Sequence, residues 1–409
     1  MIQKFNSMNV TLKVSLISSF FQSIITTAFL PFIALYLSDM VNARFSGIFL
    51  SVLVIITLPI SLVSGHIVDH FSKRHLVLTY QLGMAVALFC MAMALLQPAE
   101  YLVYFCIAYV FFTILNSLEH PAMDAIVMDA VTPDVEKFIF KFGYWLNNTA
   151  TAIGMLLGAA FYQSNKALML FIAALTFFLV FIALLKSIPQ TTHIKMASSY
   201  NIKDIFSNYG KVIKDKTYIL LMFAFSLLLS AELSMSSYVA LRLERTFESF
   251  SLFTFHIDGV KMFSILMVTN TISVVLFSYV ILQGNKYFKE KHFLIIGFAL
   301  YLIGYVSLTY LNSFSLLLIA MLLATSGEII YSPIYQEKQY KLIPEDMRGS
   351  YSAFGSLGFH FSELISRFGI LLGTFLSVFD MSIYMTCIIL IGAICMYIAV
   401  YRPLDRRTV

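Results

Sequence analysis

Twelve stretches of this 409-residue chain are each long and apolar enough to cross a lipid bilayer: 14–38, 44–66, 76–97, 101–130, 138–163, 167–187, 217–241, 257–283, 292–312, 315–338, 350–378 and 381–401. A helix needs about 20 apolar residues to span the hydrocarbon layer. Lipid offers no water to satisfy free backbone groups, so such stretches fold as helices or not at all. Charged residues make up 12% of the chain and hydrophobic ones 59%; a soluble domain carries roughly 25% charged residues. The expectation is an all-α, polytopic membrane protein, and a soluble class is excluded.

The charges that remain are sorted by side. If the N-terminus is inside, only Arg44, Lys166, Arg242, Arg245 and Lys261 fall outside, and Arg367 falls within a span; the other Lys and Arg residues of the 27 fall on cytoplasmic connections. By the positive-inside rule both termini are expected to be cytoplasmic. The net charge of +5 therefore speaks for orientation and not for nucleic acid. The basic start, MIQKFNSMNVTLK, is followed by an apolar run too long for a signal peptide and lacking a small-residue cleavage site, so it reads as a retained first span. Cys90, Cys106, Cys387 and Cys395 lie in apolar runs without metal-ligand or paired spacing, so no disulfide, metal or cofactor is expected. Nucleotide-loop and hydrolase motifs are absent, which argues against an enzyme.

The longest polar connection, 188–216, divides the chain into 1–187 and 217–409, six spans each. The halves resemble each other. VTPDVEKFIFKFGYW (131–145) before span five matches LIPEDMRGSYSAFGS (342–356) before span eleven, and IGMLLGAAF (153–161) matches FGILLGTFL (368–376). Such a duplication predicts two pseudo-symmetric six-helix bundles with a substrate site near the midplane. Gly154/Gly158 and Gly369/Gly373 have the spacing of a small-residue packing face; a moving contact is the other reading.

Between spans two and three stands GHIVDHFSKRHL (65–76). Gly65, Asp69, Lys73 and Arg74 resemble the G-x-x-x-D-R-x-G-R-[RK] loop of the major facilitator superfamily, with His70 and Ser72 in place of Arg and Gly. Further stretches, DKTYILLM (215–222), GEIIYSP (327–333) and RGSYSAFGSLG (348–358), make the chain similar to its 12-helix drug:proton antiporter family over nearly the whole length. The resemblance implies a secondary active exporter of small amphipathic compounds in a bacterial cell membrane, driven by proton antiport through alternating access and acting as a monomer. It also implies a cytoplasmic gate formed by Gly65, Asp69, Lys73, Arg74, Asp129, Lys137 and Arg348, with Asp69 latched near the start of span eleven. The chain departs from the pattern in span four, where LEHPAMDAIVMDA (118–130) has no Arg, and in span five, where Gly143 replaces an acid before Tyr144 and Trp145. These departures, with Arg367, leave a second cargo open: an endogenous metabolite such as a metallophore or a lipid. A channel or a non-transporting receptor is a remote third reading, since neither calls for a duplication or for the Asp69 loop.

A charge buried in lipid is costly, so each acid within a span is a functional candidate. Glu119 and Asp124 in span four, Glu232 in span seven, Glu328 in span ten, and Glu363 with Arg367 in span eleven are the proton-coupling or cavity candidates. Glu328 precedes Pro333, which is placed to kink span ten; it can load a proton on one side and release it on the other, or serve as a protonated structural residue. Glu363 and Arg367, one turn apart, can pair with each other, or Arg367 can meet an anionic group of the substrate. Steps of five residues rotate by about 140° around a helix, so Glu119, Asp124 and Asp129 are not expected to share a face. Tyr144, Trp145, Tyr331 and Phe354 flank the family motifs and are candidate pocket aromatics.

Overall fold

A computed structural model describes residues 8–131, 133–189, 210–252, 255–282, 289–344 and 348–402. The protein is 89% helical, and every expected span is present as a helix. The first runs from Val10 to Phe29, turns once through a 3₁₀ segment at Leu30–Phe32, where Pro31 cannot donate to the ladder, and ends with Ile33–Met40. Span two is Ala43–His70, three Lys73–Ala94, four Pro98–Ala130, five Pro133–Ser164 and six Lys166–Ser187. Span seven is Lys216–Leu233 with Tyr238–Thr246, eight Gly259–Leu282, nine Glu290–Leu308, ten Phe314–Leu342, eleven Arg348–Leu372 and twelve Val378–Tyr401. Among the described residues, ten helices are long and apolar enough to cross a membrane by length and composition.

Three features differ from the sequence reading. Span seven is not one helix over 217–241 but two, interrupted at Ser234–Ser237. Span ten runs through Pro333 as a single helix. Span eleven stops at Leu372 and not at 378. An antiparallel hairpin, Phe250–Leu252 (β1) with Phe255–Ile257 (β2), joins spans seven and eight. Most of the polar connection at 188–216 lies outside the described residues.

The chain forms two compact units: Met1–Ile33 with Ile55–Ser199, and Ala34–Val54 with Tyr200–Val409. Within the first, span one packs on five and six, and span three packs on four and six. Within the second, span seven packs on eleven and twelve, and span nine packs on ten and twelve. The pairings correspond one to one, which is the duplication expressed as packing.

The glycine repeat is less symmetric than its sequence. A Cβ on Gly154 would stand 2.5 Å from the Ile24 carbonyl oxygen, and one on Gly158 would strike Phe32 and the Ala28 carbonyl. These glycines form a backbone-to-backbone seam between spans one and five, inside one unit. In the second copy Gly373 faces the Tyr238 ring, while Gly369 faces open space.

Candidate functional site

The interruption of span seven is written in its serines. Hydroxyls of Ser234, Ser236 and Ser237 donate to carbonyls three or four residues back, at 2.6, 3.2 and 3.2 Å. Such bonds compete with the helical ladder, and Ser237 leaves helical geometry at φ −124°, ψ −103°. Its hydroxyl also meets that of Ser366 on span eleven at 2.7 Å. Arg367 reaches the same place, with Nη1 3.4 Å from the Ser236 carbonyl oxygen and 3.3 Å from Ser237 Oγ, and Nη2 3.5 Å from Glu363 Oε1. A guanidinium at the carbonyl end of a half-helix is favoured by the helix dipole. The Glu363–Arg367 pair is thus formed.

Glu232 lies in the last turn of that half-helix, where the helix dipole opposes a second negative charge and favours a cation or a proton. Its carboxylate and that of Glu328 on span ten interact electrostatically, and both residues are partly buried. Asn270 on span eight donates from Nδ2 to Glu328 Oε2 at 3.2 Å and to Thr325 Oγ1 at 3.0 Å. Around the pair stand Tyr301, Tyr305 and Tyr331, all buried. Tyr301 is edge-on to Tyr331 at 5.2 Å and donates its hydroxyl to the Leu228 carbonyl at 2.7 Å. Among the described residues no basic side chain pairs with either acid. Three arginines of the second unit are engaged elsewhere: Arg367 as above, Arg245 with Ser38 Oγ at 2.7 Å, and Arg242 with Asn312 Oδ1 and the carbonyls of Leu311 and Leu308 at 2.5, 2.7 and 3.1 Å. Two interacting carboxylates in apolar surroundings are costly as a doubly charged pair.

The first unit holds a recess of ≈ 110 Å³ whose lining includes Gln22, Thr26, Asn116, Glu119, His120, Met123 and Asp124. Glu119 is 5% exposed, and its Oε1 has no hydrogen-bond partner among the described residues. Gln22 is held by donating to Gln81 Oε1 at 2.7 Å, and Gln81 in turn donates to the Phe177 carbonyl at 2.9 Å. The expectation that Glu119 and Asp124 point apart is corrected by this recess. They stand at the two edges of one arc of about 140° on span four, whose middle is Asn116, His120 and Met123, and the recess covers the whole arc. Asp129 stands apart from them and takes Lys73 at 2.6 Å.

Of the other gate candidates, Arg74 donates to the Leu185 carbonyl at 3.0 Å, satisfying the end of span six. The side chains of Gly65, Asp69, Lys137 and Arg348, and those of Tyr144 and Trp145, lie outside the described residues. Phe354 is partly buried, and Tyr331 joins the aromatic group beside Glu328.

Sequence reasoning missed Asn270 and Arg242. Asn270 carries the one available signal, a lone amide deep in an apolar span. Arg242 counts as an outer-side charge in the sequence, yet it is 5% exposed because it satisfies the carbonyls at the end of span nine.

Comparison with known proteins follows this geometry. A family model described as Major Facilitator Superfamily matches residues 15–366. A Na(+), Li(+), K(+)/H(+) antiporter of Planococcus maritimus is 24% identical over 386 residues, covering 90% of each chain. An uncharacterized MFS-type transporter of Bacillus subtilis, YhjO, is 24% identical over 340 residues, covering 82% of this chain and 79% of its own. Among solved structures, a mutant of the peptide transporter POT superposes with a TM-score of 0.74 at 15% identity, over 95% of this chain and 94% of that one. The nucleoside transporter NupG does so with 0.66 at 16%, over 97% and 100%.

Proposed function

The chain belongs to the major facilitator superfamily, and we propose that it is an antiporter of the bacterial cell membrane that exchanges protons for a positively charged cargo. The observation that carries this reading is the Glu232–Glu328 pair: two interacting carboxylates in apolar spans, with no basic partner among the described residues. A doubly charged pair of this kind is costly in the bilayer. Proton uptake and release at the pair on alternate sides of the membrane, coupled to cation movement the other way, is antiport. Glu232 and Glu328 are the exchange groups; Asn270 holds the Glu328 carboxylate in place through its amide, and Arg367 with Ser366 holds the broken end of span seven that presents Glu232.

An alkali cation is the cargo best supported. The relative from Planococcus maritimus carries that activity in its name. A second cargo, a cationic amphipathic compound as in multidrug efflux, is favoured by the aromatic wall of Tyr301, Tyr331 and Phe298, since ring faces attract organic cations.

Proteoliposomes with an acid lumen and a trapped pH dye test both. Addition of NaCl, LiCl or KCl outside is expected to alkalinise the lumen. If only a cationic dye such as ethidium does so, the cargo is the amphipathic one; if no cation does, the antiport reading fails.

A further inference from the structure

We propose that the recess in the first unit is a binding site for a dehydrated alkali cation, separate from the proton-exchanging pair in the second unit. The inference rests on the cation-antiport reading above for its physiological sense, but its geometry is independent of it.

Glu119 is the anchor. It is 5% exposed, and one carboxylate oxygen has no partner among the described residues while lining a recess of ≈ 110 Å³. An unpaired buried carboxylate oxygen is expensive, and a structure keeps one where something else supplies the missing contact. The other groups facing the recess are mostly oxygen donors, with His120 and Met123 beside them. Asp124 stands within electrostatic reach of Glu119. Gln22 spends its amide nitrogen on Gln81, which leaves its carbonyl oxygen free to face a cation. Thr26 donates its proton to the Gln22 and Ser23 carbonyls at 2.9 and 3.3 Å, so its lone pairs point elsewhere. Asn116 supplies an amide oxygen on the same arc of span four.

The donor set selects the ion class. Among the described residues no Lys or Arg lines the recess, and no three His, Cys, Asp or Glu residues come together as a metal-binding group. Carboxylates with neutral amide and hydroxyl oxygens suit a hard cation, and the low formal charge at the buried end suits a monovalent one. His120, beside Asp124, lies at the open side. The recess thus binds the cargo ion, while Glu232 and Glu328 handle the proton, so cargo and proton occupy different bundles.

Direct binding separates the two ideas. The purified full-length protein in nanodiscs is titrated with ²²Na⁺ and with ⁸⁶Rb⁺ as a potassium surrogate, with LiCl as competitor. Saturable binding of at least one ion is expected. Glu119→Gln is expected to weaken it by at least about tenfold, equivalent to about 1.4 kcal/mol, and Asn116→Leu and Thr26→Val by several-fold each, which covers the case in which Glu119→Gln does not fold. Glu328→Gln is expected to bind the ion as the wild type does. Absence of saturable binding, binding unchanged by all three recess variants, or binding abolished by Glu328→Gln would overturn the proposal. If binding depends on Glu119 while proteoliposomes show no cation-driven proton movement, the antiport reading fails and the site stands. If proton movement is present and the recess variants bind normally, the reverse holds.

Discussion

Asn270 donates a 3.2 Å hydrogen bond to Glu328, across from span eight to span ten, and it is the described hydrogen bond to that carboxylate. Because the same amide also holds Thr325, it fixes the carboxylate's direction as well as its charge. Asn270→Leu removes the donor and leaves the acid unsatisfied, at a cost of about 1–3 kcal/mol. Thermal unfolding in detergent reads this as a lowered midpoint, and Asn270→Gln is expected to recover part of it.

Arg367 is expected to be structural first. It joins Glu363 to the broken end of span seven, so Arg367→Ala frees a carbonyl and a hydroxyl together and costs about 1–3 kcal/mol. Arg367→Lys keeps the charge but loses the planar fork, and should fall between the two. If Arg367→Ala unfolds at the wild-type temperature but loses cargo affinity, the residue belongs to a substrate site instead.

Much of the fold was legible because hydropathy carries it: a bilayer leaves a chain little choice, and each of the twelve stretches became a helix. The duplication was legible too, since VTPDVEKFIFKFGYW and LIPEDMRGSYSAFGS precede helices with matching neighbours. What hydropathy does not register is where a helix stops being one inside the bilayer. The break at Ser234–Ser237 depends on hydroxyls turning back to carbonyls and on Ser366 arriving from 129 residues away, and no local window contains that. Glu119, Asp124, Glu232 and Glu328 stood out as acids in apolar runs. That Glu232 interacts electrostatically with Glu328, and that Asn270 serves one of them, are matters of tertiary placement. The burial of Arg242 was out of reach for the same reason: counting positive charges assigns a side, not a burial.

The glycine seam between spans one and five makes a separate prediction. Gly158→Val inserts a branched side chain where the Ala28 carbonyl and the Phe32 ring already stand, and overpacking of this kind costs about 1–3 kcal/mol. The same change at Gly369, which faces open space, should leave the unfolding midpoint near that of the wild type. Equal effects at the two sites would mean that the seam is not what Gly158 is for.

The Lys73–Asp129 pair should matter little for stability. Its side chains are 34% and 65% exposed, and solvent screens such pairs to about 0–1 kcal/mol. Asp129→Asn is therefore expected to unfold within about 1 kcal/mol of the wild type. A transport defect in that variant with an unchanged midpoint would place the pair in the gate.

The claim on which the rest depends is that Glu232 and Glu328 carry the proton. Its most direct test is the double variant Glu232→Gln/Glu328→Gln in proteoliposomes with an acid lumen and a trapped pH dye, alongside both single variants. The account predicts that cargo-driven alkalinisation is abolished in the double variant while the protein still binds cargo with wild-type affinity. Alkalinisation at the wild-type rate in the double variant would contradict it.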